Sequence, residues 1–254
     1  MFKRLSVCVV VPAYQECRLL PITLRTIPEF VDHIVVIDDG STDETSAAAT
    51  QVNDQRLTVL RHSRNQGVGA AIVTGYRHAL SLKSDAVVVM GADAQMDPTE
   101  MHKLLEPLVQ DTADYVKGDR LGHKQLAAIM PRSRRFGNFV LTFLTRLSSG
   151  YGHVRDSQCG YTAISRRTLR QIDMDALYHR YGFPNDMLAK LGEVHARVVD
   201  CPVTPIYGTE RSGIHIPKVI GPILTLLVKS GVRRVWRQRR RDIHLEPNSA
   251  KRFM

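Results

Sequence analysis

Short apolar runs rich in β-branched residues, each followed by a helical pattern, constrain the fold of this chain more than any other feature. The runs predict strands at 5–11, 33–38, 57–61, 86–90 and 114–118. The patterns between them predict helices near 17–28, 43–53, 67–81 and 98–110. Strands without apolar/polar alternation are buried on both faces, as in parallel sheets covered by helices. The sequence therefore predicts an α/β fold with a mostly parallel sheet and helices on both faces.

Three polar clusters follow strands of this sheet: "PAYQE" (12–16), "DDGSTD" (38–43) and "GADAQMD" (91–97). Ligands of open parallel sheets bind at the carboxyl ends of the strands. We therefore expect the three clusters to converge on one crevice. Farther along, the sequence predicts an amphipathic helix through 134–150, a short helix at 185–194 and a strand at 195–203.

The acidic pair in "VIDDGSTDET" has two interpretations. In the first, Gly40 makes a turn and Ser41 or Asp43 caps the following helix. Capping does not explain two consecutive acids at a strand end, where desolvation and mutual repulsion are costly. A nucleotide base or ribose, which offers N–H and O–H donors, would give Asp38 or Asp39 a binding role.

The stretch "RNQGVGAAIVTGYRHAL" (64–80) is a helix opened by glycines, and the N–H groups and dipole of such a helix favour a phosphate. Alone this signal is weak, because glycines often precede helices. The dinucleotide pattern GxGxxG and the Walker pattern ending in GK[ST] are both missing from the sequence. A nicotinamide enzyme and a P-loop ATPase are therefore not expected.

Asp93 and Gln95 alternate along an extended segment, so both can offer oxygen ligands to Mg²⁺ or Mn²⁺ in the crevice. These ions take few protein ligands when a substrate diphosphate supplies the others. Asp97 instead reads as the cap of a helix that begins at Pro98.

These motifs together resemble the donor-binding half of family 2 glycosyltransferases, and most of all the dolichol- or polyprenyl-phosphate sugar transferases. The resemblance implies the GT-A fold, a nucleotide-sugar donor and a divalent ion. By position, Pro12, Tyr14, Glu16 and Asp39 resemble the residues with which the family binds the nucleoside, and Asp38 is next to this set. Asn65 and Gly67 match the loop that holds the nucleotide. In the metal-binding DxD motif, Asp93 stands at the second aspartate and Gln95 at a metal-facing position. The first aspartate is replaced by Gly91.

The resemblance extends to the acceptor side. "DSQCGYTAIS" resembles the D-x-x-x-G segment, which implies that Asp156 and Gly160 lie near the acceptor, and Arg120 resembles an arginine of the catalytic crevice. Asp186, in "GFPNDML", stands where relatives carry a catalytic carboxylate, although it could instead be a helix N-cap.

The arginines of "RSRRFGN" have two interpretations. Arg132 and Arg135 could clamp a phosphate with bidentate guanidinium groups. Alternatively, they belong to a solvated charged face.

The C-terminal part carries most of the net charge of +10, with eight Lys or Arg and no acid from Lys218 to Arg241. We predict a basic amphipathic helix at 213–241 that docks on an anionic membrane surface, with Trp236 as an anchor. A terminal helix packed on the core, with a solvated basic end, fits the same pattern. The charge lies outside any nucleic-acid module, so no nucleic-acid partner is expected.

The domain boundaries follow from the same reading. Residues 1–212 form one catalytic domain, with a donor half at about 1–118 and an acceptor half at 119–212, and 242–254 are predicted to be disordered. No apolar run approaches the roughly 20 residues of a membrane span. The four dispersed cysteines are typical of reduced thiols. We therefore expect a cytoplasmic protein bound peripherally at the inner face of the membrane.

The sequence thus predicts an inverting, metal-dependent glycosyltransferase that moves a sugar to a polyprenyl phosphate. A hydroxyl acceptor, with Asp186 as general base, is the alternative within the same chemistry. A non-catalytic nucleotide-sugar-binding protein is the alternative outside it.

Overall fold

The computed structural model describes residues 1–122, 132–204, 206 and 216–245. Within these ranges, side chains are described for residues 1–122, 137–204, 206 and 221–236.

The described strands form one seven-stranded sheet with the order β3-β2-β1-β4-β6-β5-β7. The strands are β1 (Val7–Ala13), β2 (His33–Asp38), β3 (Leu57–Arg61), β4 (Ala86–Val89), β5 (Tyr115–Asp119), β6 (Thr162–Ser165) and β7 (Val198–Pro202). The helices are α1 (Leu20–Arg25), α2 (Thr45–Thr50), α3 (Val68–Ser81), α4 (Met101–Val109), α5 (Arg132–Ser149), α6 (Arg166–Leu169), α7 (Phe183–Glu193) and α8 (Ile216–Leu245). A 3₁₀ turn, Pro98–Glu100, precedes α4.

The sheet confirms the predicted parallel arrangement of its donor half. β1 pairs in parallel with β2 on one side and with β4 on the other, so the chain order reverses at β1. The strand that the sequence did not predict is β6, which runs antiparallel between β4 and β5. It has four residues inside a polar, Gly-containing stretch, too few to produce a recognisable period.

Buried side chains cover both faces of the sheet, as predicted. Val7, Val9 and Val11 of β1 belong to the core beneath α1, α2 and α4. Their neighbours Cys8 and Val10 belong to the opposite core, beneath α3 and α7. Successive strand residues point to opposite faces, so a strand buried on both sides must be apolar throughout.

The C-terminal helix packs on the core, which is one of the two arrangements that the sequence left open. α8 packs against α5 and α7, with Ile223 and Leu227 buried, and Arg234 Nη1 donates to the carbonyl of Leu147 at 2.8 Å. The helix includes Pro222 and continues to Leu245, so the predicted boundary at 241 is too early. Residues 246–254 lie outside the described residues.

α5 and α8 also expose large apolar side chains, which we call the α5/α8 apolar face. It consists of Phe139, Phe143 and Leu147 of α5 and Leu224, Val228, Val232, Val235 and Trp236 of α8. Among the described residues, no helix is both long enough and apolar enough to cross a bilayer.

Because α3 packs closely on the sheet at Gly75, we predict that a larger residue at this position lowers the stability of the fold. A Cβ at Gly75 would lie 2.2 Å from Val10 Cγ1 and 2.9 Å from Ile37 Cδ1. Gly75→Ala should therefore destabilise the fold by about 1–3 kcal/mol through overpacking. Gly137→Ala, on α5 with nothing within 4 Å of the added atom, is the matched control and should be neutral or stabilising by up to about 1 kcal/mol. Urea unfolding measures both, and equal effects would contradict the packing argument.

Candidate active site

A cleft of about 470 Å³ opens at the carboxyl ends of β1 and β2. The described residues that line it are Pro12, Ala13, Tyr14, Asp39, Asn65, Gly67, Val68, Ala71, Arg180 and Tyr181. The structure thus brings together five of the residues that the sequence assigned to nucleoside binding. Two others, Glu16 and Asp38, are not among the described lining residues.

Asp39 is the buried acid of the cleft, and its carboxylate is held by three donors. Oδ1 accepts the N–H of Gln66 at 2.9 Å and lies 2.7 Å from Nδ1 of His62. Oδ2 accepts the N–H of Gly67 at 2.7 Å. The N–H groups just before α3, which the sequence assigned to a phosphate, therefore bind the protein's own carboxylate.

Asp38 has a structural environment. Its Oδ1 accepts the N–H of Ser41 at 2.8 Å, and its Oδ2 accepts the hydroxyl of Ser46 and faces Arg61 Nε at 3.6 Å. Burial would raise the pKa of Asp38, but the bonds from Ser41 and Ser46 outweigh it and the pKa is lowered. Asp38 therefore shapes the turn at Gly40 rather than lining the cleft.

The loop after β1 is tied to the loop after β2 by three backbone N–H groups. Gln15 donates to Ser41 Oγ at 3.0 Å, Glu16 to Thr45 Oγ1 at 2.9 Å and Cys17 to Asp43 Oδ2 at 3.3 Å. Asp43 Oδ1 also accepts the N–H of Thr45, the first residue of α2, at 3.1 Å. Asp43 therefore caps this helix as expected, although Glu44 occupies the N-cap position itself.

The segment after β4 carries the predicted metal ligands. Asp93 Oδ1 accepts the N–H of Gln95 at 3.2 Å and lies 2.9 Å from the position that a Cβ on Gly91 would occupy. The missing side chain at Gly91 therefore leaves room for the carboxylate of Asp93. Asp97 caps the 3₁₀ turn by accepting the N–H of Thr99 at 2.9 Å, as the sequence predicted. Among the described residues, no cluster of three or more His, Cys, Asp or Glu could hold a metal ion by itself.

Asp156 forms a buried ion pair with Arg120. Arg120 Nε donates to Oδ2 at 2.7 Å and Nη2 to Oδ1 at 3.2 Å, while Asp156 is 0% exposed. Burial would raise the pKa of Asp156, but the charge and hydrogen bonds of Arg120, the charge of Lys117 and the N–H of Gln158 together outweigh burial, and the pKa is lowered. Lys117, also buried, donates to the carbonyl of Cys159, and burial lowers its pKa.

The acceptor segment and the metal segment are in contact. Met96 Cε lies 3.4 Å from the position of a Cβ on Gly160, and Met96 Sδ accepts the N–H of Gly91 at 3.2 Å. Tyr161 Oη donates to the carbonyl of Asp97 at 3.1 Å. Asp93, Gln95 and Gly160 therefore belong to one neighbourhood.

Asp186 lies in the first turn of α7, where the N-cap residue is Gly182, so the alternative that Asp186 is an N-cap is wrong. Its Oδ2 accepts the N–H of Tyr178 at 2.9 Å, and burial raises its pKa. The adjacent Asn185 joins a buried polar network through Gln158 Nε2 at 3.1 Å and Thr145 Oγ1 at 2.6 Å.

Sequence reasoning missed Arg180 and Tyr181, which line the cleft from the segment before α7. The local pattern "YHRYGF" contains an arginine and tyrosines but no motif that would place them beside β1. The side chains of Arg132 and Arg135, assigned to a phosphate clamp, lie outside the described residues.

Comparisons with known proteins give consistent results. Residues 8–173 match the model of the family described as glycosyl transferase family 2. An undecaprenyl-phosphate mannosyltransferase of Micrococcus luteus is 32% identical over 79% of this chain and 83% of its own. A UDP-N-acetylglucosamine–dolichyl-phosphate N-acetylglucosaminyltransferase of Methanococcus voltae is 28% identical over 80% of this chain and 86% of its own.

Among solved structures, glucosyl-3-phosphoglycerate synthase of Mycobacterium tuberculosis, crystallised with Mn²⁺, UDP and phosphoglyceric acid, has the same fold. The TM-score is 0.69 at 18% identity, over 90% of this chain and 79% of that chain.

The buried ion pair of Asp156 and Arg120 predicts how the stability of the protein depends on pH. Because the pKa of folded Asp156 lies below its ordinary value of 3.8, its contribution to stability is present above that pH and is lost as pH falls through the folded pKa. Asp156→Asn should cost about 3 kcal/mol at pH 7, the lower end for a broken buried pair, because Arg120 keeps 22% exposure.

Thermal unfolding of both proteins from pH 7 to about pH 3 measures this contribution, because the other titrating groups are common to both. The difference in stability between the wild-type protein and Asp156→Asn should become smaller as the pH falls. A difference that stays constant would contradict the ionised pair.

Proposed function

The chain belongs to glycosyl transferase family 2, and on this basis we propose that it transfers a sugar from a nucleoside diphosphate to a polyprenyl phosphate. It has the GT-A fold and is a nucleotide-sugar-dependent glycosyltransferase rather than a non-catalytic binding protein. Two relatives that act on lipid phosphates, each matching about four fifths of the chain, support the choice of acceptor.

One observation carries the donor assignment: five of the seven residues expected to bind a nucleoside line a single cleft at the point where the order of the strands reverses. Tyr14 is about half exposed there and offers a ring face to a base, while Asn65 offers amide groups. Such a crevice is where open α/β sheets bind nucleotides. Asp39 sets the wall of the cleft, and its hydrogen bonds fix the loop that contains Asn65.

The donor set also fits a divalent ion. Asp93 offers a carboxylate and Gln95 an amide oxygen, and the space above Gly91 accommodates the carboxylate. Oxygen ligands of this kind suit Mg²⁺ or Mn²⁺, which complete their coordination with water and substrate phosphates. When bound, the ion would neutralise negative charge on the departing nucleoside diphosphate.

The proposed reaction is a single inverting displacement. An oxygen of the acceptor phosphate attacks the anomeric carbon as the bond to the donor diphosphate breaks, and the nucleoside diphosphate leaves with the electron pair. The acceptor is already anionic, so it needs little help from a general base. A hydroxyl acceptor would need one, and Asp186 makes a poor candidate because it is buried and is not among the described residues that line the cleft.

We also propose a division of the chain. Residues 1–118 supply most of the donor site, to which Arg180 and Tyr181 are added. The rest of 119–212 serves the acceptor, with Arg120 and Asp156 fixing the backbone beside Gly160. Residues from 213 onward hold the enzyme at a membrane, where a polyprenyl phosphate resides.

The α5/α8 apolar face supports this membrane role. Phe139 is 66% exposed and Val228 65%, and the basic residues Lys229 and Arg233 are exposed beside them. A surface that joins exposed apolar side chains to positive charge suits the interface of an anionic bilayer. We propose peripheral binding through this face at the inner side of the membrane.

A transfer assay tests the function directly. Purified protein is incubated with undecaprenyl phosphate, Mn²⁺ and each of a panel of radiolabelled UDP- and GDP-sugars, and lipid extraction follows. Radiolabelled lipid with one donor is the expected result. Sugar transfer only to hydroxyl compounds would overturn the proposed acceptor.

The metal assignment predicts that Asp93→Asn lowers kcat by at least about 10²-fold at saturating Mn²⁺ while the fold is kept, because the ion contributes several kcal/mol to the transition state. Asp97→Asn is the matched control, since Asp97 caps a 3₁₀ turn and should change kcat little. Wild-type activity of Asp93→Asn over a range of Mg²⁺ and Mn²⁺ concentrations would overturn the assignment.

The membrane assignment predicts that the protein sediments with anionic liposomes at low salt and is released at high salt. Phe143→Ser combined with Val232→Ser should reduce sedimentation, whereas Ile22→Ser on α1 should not. Ile22 and Phe143 are exposed to the same degree, 52% and 51%.

Replacing Arg237, Arg239, Arg240 and Arg241 together by Gln should weaken binding by about 1 kcal/mol for each residue. Equal sedimentation with neutral liposomes at high salt would disprove electrostatic docking. An equal loss in Ile22→Ser would show that the α5/α8 apolar face is not the binding surface.

A further inference from the structure

The segment 177–182 forms one wall of the cleft and is docked directly on the start of α3. The carbonyl of His179 accepts the N–H of Ala70 at 3.1 Å. A Cβ on Gly67 would lie 2.4 Å from that carbonyl oxygen, and a Cβ on Gly69 would lie 2.2 Å from the carbonyl oxygen of Tyr178. The glycines of "GVG" therefore allow two backbones to meet, which is a different role from cradling a phosphate.

The segment is also fixed from its other side. Asp186 Oδ2 accepts the N–H of Tyr178 at 2.9 Å, and the carbonyl of Arg180 accepts the N–H of Phe183 at 2.9 Å. A buried carboxylate that accepts a hydrogen bond from a backbone N–H fixes the position of that backbone. The 177–182 segment is thus held between α3 and α7.

Arg180 is the one cation among the described residues that line the cleft. Its guanidinium has no hydrogen bond or ion pair with any residue whose side chain the structure describes, and the residue is exposed. The N–H groups of Gln66 and Gly67 are already bound to Asp39, and that of Ala70 to His179. Among the described residues that line the cleft, Arg180 is therefore the cationic side chain available to an anion.

We propose that Arg180 binds a phosphate of the nucleoside diphosphate and that Asp186 is the positioning residue of the segment that carries it. A guanidinium matches phosphate oxygens in charge and in planar geometry. A lipid acceptor also carries a phosphate, but Arg180 shares its cleft with Tyr14, Asp39 and Asn65, which favours the donor. This inference rests on the proposed function.

Binding measurements on Arg180→Gln test the first half. Titration calorimetry with UDP, GDP and the matching nucleosides, uridine and guanosine, should show a loss of about tenfold to hundredfold for the preferred diphosphate. Affinity for the nucleoside should stay within about twofold, because the lost contact is to phosphate. Arg25→Gln, an exposed arginine on α1 away from the described cleft lining, is the control and should bind both as wild type does.

Other outcomes overturn the assignment. Unchanged diphosphate affinity with a raised KM for undecaprenyl phosphate would make Arg180 an acceptor residue. An equal loss for nucleoside and diphosphate would mean that Arg180 only shapes the cleft. If wild-type protein binds neither diphosphate, the proposed function fails together with this inference, a result distinct from a variant that binds normally.

Two substitutions of Asp186 test the second half. Asp186→Ala removes the acceptor for Tyr178 N–H and should lower diphosphate affinity toward that of Arg180→Gln, with no further loss in the double variant. Asp186→Asn retains an acceptor oxygen and should bind the diphosphate nearly as wild type does. Nucleoside affinity shows that each variant is folded.

If Asp186→Ala binds the diphosphate with the affinity of the wild-type protein, Asp186 is not the positioning residue of this segment. Normal diphosphate affinity in both variants, with kcat reduced about 10²–10⁴-fold in both, would instead identify Asp186 as a general base.

Discussion

The carboxylate of Asp39 is the interaction on which the rest of the cleft depends. A buried acid is costly unless donors surround it, and here Gln66, Gly67 and His62 supply them. These bonds join the end of β2 to the segment after β3 and to the start of α3. They also occupy two N–H groups just before α3, where the helix dipole would favour an external anion. The cationic side chain that lines the cleft comes from another segment, at Arg180.

Much of the donor half follows from the sequence because its signals are local. A strand buried on both faces must be apolar throughout, and a parallel sheet gathers its polar termini at one edge. Both rules apply to β1 and β2, and the structure places Tyr14 and Asp39 in one cleft as they require. The expected third cluster, 91–97 after β4, is not among the described residues that line this cleft. β6 was not predicted because its pairing with β4 and β5 is non-local, and four residues are too few to show a periodic pattern of apolar residues.

The site was less predictable for a related reason. The docking of 177–182 on α3 uses the carbonyl groups of Tyr178 and His179, which every residue type has, so no side chain marks it in the sequence. The sequence feature that accompanies this docking is the "GVG" stretch, and glycines are found before helices for several structural reasons. Asp186 was similarly ambiguous, because a carboxylate near a helix start can cap, catalyse or position a neighbouring segment. Only the contact with Tyr178 distinguishes these roles geometrically.

The two halves of the proposed function meet at α8. Its buried side chain Ile223 lies 3.3 Å from the position of a Cβ on Gly182, which ends the cleft-lining segment and precedes α7. The same helix exposes Val228, Val232 and Trp236 on the α5/α8 apolar face. Packed interiors transmit small displacements because they contain few voids. A shift of α8 at a membrane surface would therefore reach Gly182 and, through it, the backbone of Arg180. The helix that we propose to bind the membrane therefore also contacts the end of the segment that we propose to bind the nucleotide.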